Sequence, residues 1–202
     1  MKIEDKKLRI GVDIDDTLVD FVGAYILYCN QTYSTNLKKE DFRFYAFNKS
    51  IGGTMSESIS LVNKFYENVL FKEILPLPDS VEVINLLKQK NHELFIITSR
   101  PDFIKEETER FINKFFLDNF SNIFFSYNHY TKRKNGGKSK AELCFDLDIS
   151  LLIDDSLEYA IQCANMGLEA LLFGNFPWNQ NGQHKNITRV KDWIKVKEEL
   201  LK

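Results

Sequence analysis

The chain has 202 residues, is 44% hydrophobic and carries a formal net charge of −2. That length fits one domain with an insertion, or two small domains, with enough apolar material for a sizeable core. The slightly acidic balance argues against dedicated nucleic-acid binding, and no apolar run is long enough to span a membrane. Cys29, Cys144 and Cys163 are too few and too scattered for a disulfide framework or a CxxC metal site. The charged stretch 1–7 has no apolar segment of signal-peptide type. Reduced thiols and a cytoplasmic location are therefore expected.

In chain order, Leu8–Ile14 reads as a buried strand and Thr17 to about Tyr33 as an apolar helix. Residues 34–76 hold no convincing strand, and Ser58–Phe71 has helical apolar spacing. Pro76-Leu-Pro78 then reads as a hinge back to the main body. Helix Ser80–Lys90, strand Leu94–Thr98, helix Pro101–Phe120 and strand Asn122–Ser126 follow. After the basic, glycine-containing segment Tyr130–Lys140, a mobile or ligand-facing loop, come helix Ala141–Phe145 and strand Leu151–Ile153. Helix Leu157–Met166, strand Ala170–Phe173 and helix Val190–Leu201 complete the pattern. Continuous apolar strands alternating with helices predict an α/β, Rossmann-like parallel sheet covered on both faces. The expected organisation is a core of residues 1–20 and 77–202, with a small helical cap, residues 21–76, inserted after the first strand.

Two strands end in acids. The first runs into Asp13, Asp15 and Asp16, and the fourth into Asp154 and Asp155. Like charges repel and resist burial, so packing explains neither ending well. Neighbouring parallel strands lie about 4.8 Å apart and Mg²⁺ binds oxygen at about 2.0–2.1 Å, so the two acid sets can share one cation. One carboxylate of Asp13-x-Asp15 can attack phosphorus while the other shuttles a proton. A helix starting at Thr17 would aim its free amides at an anion, although Asp16 or Thr17 can equally serve as a helix cap. Thr98 and Ser99 follow the apolar part of the second strand, where hydroxyls and amides can donate to phosphate; they too can cap the next helix. Lys138 and Lys140 precede a helix, and either can neutralise a transferring phosphoryl group. Of Asp154 and Asp155, one can complete a metal shell while the other orients water or the lysine. Gly136-Gly-Lys-Ser139 lacks the earlier glycine of a nucleotide-binding phosphate loop, and the three histidines have no zinc spacing.

These residues, in this order, resemble the haloacid-dehalogenase superfamily of phosphotransferases. A closer likeness is to the 5′(3′)-deoxyribonucleotidase family and its bacterial relatives, carried by Asp20-Phe21, Phe71–Pro78, Thr98-Ser99, Ile153–Asp155 and Trp193. By that resemblance Asp13 is the nucleophile forming an aspartyl-phosphate and Asp15 the general acid and base. Thr98 binds phosphate and Lys140 or Lys138 stabilises the phosphoryl group, with Asp16, Thr17 and Ser99 at the phosphate end. Asp13, the backbone carbonyl of Asp15, and Asp154 with Asp155 hold Mg²⁺. Phe21, with Phe44 and Tyr45, stacks a nucleobase. Arg100 stands where vertebrate members have no arginine, and its fork can contact a second anionic group. The implied activity is Mg²⁺-dependent hydrolysis of (deoxy)nucleoside monophosphates by a monomer or homodimer. The alternatives are a phosphatase for a sugar phosphate or other small ester, and a non-catalytic module that binds phosphate or a protein.

Overall fold

The computed structural model describes residues 7–127 and 137–201. Six strands form one sheet: β1 (Arg9–Val12), β2 (Glu93–Thr98), β3 (Phe120–Phe125), β4 (Leu151–Asp154), β5 (Glu169–Phe173) and β6 (Ile187–Val190). Every pairing is parallel, and the spatial order is β3-β2-β1-β4-β5-β6. This is the α/β, Rossmann-like arrangement expected from the alternation of apolar strands and helices.

Side chains alternate between the two faces of a strand, and both faces are buried here. Ile10, Val12, Leu94, Ile96, Leu151 and Ile153 join one core, while Phe95, Ile97 and Leu152 join a second with Cys144, Tyr159 and Cys163. Gly11 lies on the second face, where an added Cβ would come within 3.0 Å of Ile97 Cγ1 and 3.3 Å of Leu152 Cδ1. Glycine there lets the central strand fit between its neighbours. The helices α5 (Ser80–Gln89) and α9 (Trp193–Leu200) pack on each other on the first face. On the second face lie α7 (Lys140–Asp146) and α8 (Leu157–Asn165). Helix α6 (Lys105–Phe115) links β2 to β3. Residues 21–76 contribute α1 (Phe21–Tyr33), a 3₁₀ turn, α2 (Phe47–Ile51), α3 (Met55–Glu67) and α4 (Val69–Lys72), and no strand. Rings of Phe21, Tyr25, Phe42, Phe65 and Phe71 hold these helices together.

Several boundaries differ from the sequence reading. Helix α1 starts at Phe21, not Thr17, because Asp20 caps it by accepting from Gly23 N at 3.1 Å. Residues 14–19 instead form a tight turn in which the amides of Thr17, Leu18 and Val19 converge on the Ile14 carbonyl. Asp16 takes a left-handed φ of 55° in that turn. The helix expected over 58–71 breaks at Asn68, whose side chain caps α4 by accepting from Leu70 N at 2.9 Å. The last helix starts at Trp193 behind its cap Asp192, and Val190 belongs to the sixth strand, which the reading missed. Most of the basic segment expected as a loop, residues 128–136, lies outside the described residues. No described helix is long and apolar enough to cross a membrane, and all three cysteines are buried free thiols.

Candidate active site

Strand order reverses between β1 and β4, and ligands bind in open α/β sheets beyond the carboxyl ends of the strands at such a point. The backbone puts both acid-bearing ends there. Asp13 N donates to the Ile153 carbonyl at 3.0 Å, extending the β1–β4 pairing by one residue and setting Asp13 beside Asp154. Asp13, Asp154 and Asp155 are all buried, and each offers a carboxylate oxygen within 4.8 Å of the others.

Lys140, the first residue of α7, is fully buried between them. Its Nζ lies 2.8 Å from Asp13 Oδ1 and 2.6 Å from Asp154 Oδ2, and stands over the Tyr159 ring. Its place is set by Ser139, which accepts from Glu142 N while the Glu142 side chain accepts from Ser139 N. Asp154 Oδ1 also accepts from Ser156 N at 2.8 Å.

Burial pushes the Asp13 carboxyl up to about 7, with Lys140 pulling it down and Asp154 and Asp15 pushing it further up. Burial also lifts Asp155 well above the usual carboxylate range, reinforced by Asp154. Burial opposes the charge on Lys140, yet Asp13 and Asp154 together hold its pKa above the ordinary lysine value. One ammonium thus pairs with two of the three buried carboxylates, Asp13 and Asp154. An all-oxygen, acid-rich donor set of this kind fits a hard divalent cation such as Mg²⁺.

The remaining candidates fall into place around this cluster. Asp15 turns its carboxylate to Arg100, which donates from Nε at 3.0 Å and from Nη2 at 2.7 Å. Arg100 is buried, lies over the Phe71 ring and donates to Thr108 Oγ1. Its fork is therefore spent on Asp15, which corrects the expectation that it meets a second anionic group. The side chain of Asp15 is not one of the three clustered carboxylates. Asp155, expected to orient, lies within the cluster. Thr98 is enclosed at the end of β2, its Oγ1 accepting from Arg100 N. Ser99 reaches the cavity wall, its Oγ 2.8 Å from Ser126 Oγ. Thr17 is fully buried away from the cavity lining, its carbonyl accepting from Trp193 Nε1 at 2.8 Å. Asp16 lines the cavity, but its Oδ1 accepts from Val22 N. Lys138 is excluded: it points to the surface and pairs with Asp146.

A cavity of about 240 Å³ opens over the cluster. Asp13, Asp15, Asp16 and Asp155 form its floor, and its walls include Ser99, Phe21, Phe44, Tyr45, Phe47, Tyr66, Phe103 and Trp178. All three aromatic residues expected in the pocket are there. Phe21 also packs edge-on against Phe65 and Phe71, so it holds the helices together as well as lining the cavity.

A family model described as "5' nucleotidase, deoxy (Pyrimidine), cytosolic type C protein" matches residues 6–202. The chain belongs to this nucleotidase family. Among curated relatives, the candidate nucleotidase YqfW of Bacillus subtilis (strain 168) is 27% identical over 190 residues, 94% of this chain and 91% of that one. Among solved structures, the haloacid dehalogenase-like family hydrolase SP0104 from Streptococcus pneumoniae superposes with a TM-score of 0.69 at 15% identity, covering 96% of this chain and 98% of that one. The HAD-hydrolase YfnB from Bacillus subtilis, solved bound to magnesium, gives a TM-score of 0.58 at 15% identity over 96% of this chain and 99% of that one. The protein is thus a phosphatase of the nucleotidase family with the fold of haloacid dehalogenase-like hydrolases.

In this nucleotidase the sequence reading missed Trp178, Tyr66 and Phe103 as cavity residues. Trp178 had a usable signal: it closely follows β5, and loops leaving the carboxyl ends of parallel strands face the ligand crevice. Tyr66 and Phe103 had none, since an aromatic at helical spacing reads first as core.

Proposed function

We propose that the protein is a Mg²⁺-dependent phosphomonoesterase that hydrolyses (deoxy)nucleoside monophosphates through an aspartyl-phosphate intermediate. The observation that carries this reading is the cluster of Asp13, Asp154 and Asp155, with Lys140 paired to Asp13 and Asp154, beneath an aromatic cavity. Residues 21–76 act as the cap over it. Asp13, Asp154 and Asp155, with the backbone carbonyl of Asp15, would hold Mg²⁺, which supplies positive charge against the phosphate oxygens.

Asp13 attacks phosphorus, forming an acyl-phosphate bond as the bond to the ester oxygen breaks. Asp15 gives its proton to the departing alkoxide, then takes one from the water that hydrolyses the acyl-phosphate. Lys140 stabilises charge on the phosphoryl oxygens without being reorganised, because both carboxylates already fix its ammonium. Ser99 contacts the phosphate from the cavity wall. Burial excludes water from everything but the incoming nucleophile. The aromatic walls favour a planar base over a sugar, because flat rings stack on flat rings.

The test is phosphate release by the purified protein from a panel of nucleoside monophosphates and sugar phosphates, with Mg²⁺ and with EDTA. Release that is metal-dependent and fastest with nucleotides is expected. Preference for sugar phosphates would overturn the substrate class, and no release from any ester would overturn the catalytic reading.

A further inference from the structure

Asp155 is gripped from two sides by one short segment, residues 178–179. Trp178 Nε1 donates to Asp155 Oδ2 at 2.6 Å, and Asn179 Nδ2 donates to the Asp155 carbonyl at 3.0 Å. Asn179 is fully buried and also donates to the Phe173 carbonyl, which anchors the segment to the end of β5. The Trp178 ring stacks on Phe176 with centroids 4.6 Å apart and planes 7° from parallel, and Lys39 Nζ lies over Phe176. The other face of this arrangement is a wall: Trp178, Phe44 and Tyr45 each line both the cavity over the acids and a neighbouring cleft.

We propose that Trp178 is a positioning residue that aims Asp155 at the divalent cation while its ring walls the substrate cavity. This rests on the metal-dependent reading of the site. An indole N–H only donates, so it holds one carboxylate oxygen and fixes the rotation of the group. The carboxylate then keeps one orientation beside Asp13 and Asp154. A donor placed behind a ligating group in this way raises metal affinity by restricting the ligand before the ion arrives. Stacking on Phe176 keeps the ring from turning, so the N–H stays aimed whether or not substrate occupies the cavity.

Two variants separate the two roles. Trp178→Phe keeps a ring and loses the donor; Trp178→Leu loses both. Mg²⁺ affinity is read directly by titration calorimetry, and KM and kcat are read at saturating metal. For Trp178→Phe the Mg²⁺ dissociation constant is expected to rise about tenfold. For Trp178→Leu the same loss of metal affinity should be joined by a higher KM for the nucleotide but not for glycerol phosphate. Wild-type Mg²⁺ affinity in Trp178→Phe would overturn the proposal. Absence of Mg²⁺ binding by the wild type would instead overturn the metal reading beneath it.

The wild type offers a second measurement that needs no variant to fold. Trp193 is 1% exposed and Trp178 is half-buried, so emission quenched by acrylamide belongs to Trp178. Adding Mg²⁺ changes the charge on the carboxylate that the indole N–H holds and should shift that emission, while quenching stays constant because the ring does not move. A calorimetrically bound ion that leaves the emission untouched would overturn the proposal.

Discussion

Replacing Asp13 by Asn removes the proposed nucleophile, and the structure predicts that it also stabilises the metal-free protein above neutral pH. Burial raises the Asp13 carboxyl from the ordinary 3.8 to about 7. The native state therefore binds this proton more tightly than the unfolded chain. The resulting stabilisation is fully present below the unfolded value, declines as pH rises, and is gone above about 7. A shift of about three units at ~1.36 kcal/mol each amounts to about 4 kcal/mol. Asparagine stays neutral and does not lose this contribution. Lys140 keeps its second partner, Asp154, at 2.6 Å in the variant. Thermal unfolding followed by circular dichroism in EDTA is the assay, at pH 5 and pH 8. Only about two of those units fall between pH 5 and about 7, so the melting temperature of Asp13→Asn relative to wild type should rise between the two by roughly 5–11 °C for a chain of this size. A difference that does not change with pH, or that moves against the variant, would refute the electrostatic argument.

The two lysines should behave oppositely. Lys140→Met leaves buried Asp13 and Asp154 without their shared cation, and should cost about 3–5 kcal/mol in denaturant unfolding as well as phosphatase activity. Lys138→Ala on the surface should change stability by less than about 0.5 kcal/mol and leave kcat intact. Arg100→Lys keeps the charge but gives up the two-pronged grip on Asp15. It should lower kcat on the order of tenfold or more with KM nearly constant, and unchanged kcat would mean that the grip does not position Asp15. Phe44 is 54% exposed, so Phe44→Ala should raise KM for nucleotides without altering the melting temperature. Phe21→Ala should cost about 3–5 kcal/mol, which makes it a poor probe of stacking.

Much of this site could be read from the sequence because apolar strands that end in carboxylates have few structural explanations. Asp13 and Asp154 were legible as partners for that reason, and the parallel alternation supplied the sheet that joins them. Other features depend on contacts that no local pattern encodes. Arg100 and Asp15 are 85 positions apart, and only the fold shows that the guanidinium is already engaged. The choice between Lys138 and Lys140 turned on helix phase. The Ser139–Glu142 capping pair, a legible signal, fixes that phase and points Lys140 inward. Strand β6 was missed because its two middle residues are exposed at a sheet edge, which leaves little apolar pattern. The turn after β1 looked like the start of a helix because Asp16 and Thr17 are residue types that cap helices, whereas Asp20 performs that role.

In the proposed reaction the phosphoryl group passes through Asp13. Asp15→Asn loses both proton transfers, but with p-nitrophenyl phosphate, whose leaving group needs no proton, it should still form the acyl-phosphate and hydrolyse it slowly, so the intermediate builds up. Acid-quenched protein, after mixing with Mg²⁺ and p-nitrophenyl phosphate, can be digested and its peptides weighed. One phosphoryl group on the peptide containing Asp13, absent in EDTA, is the predicted result. Turnover with the phosphoryl group on a different residue would contradict the account.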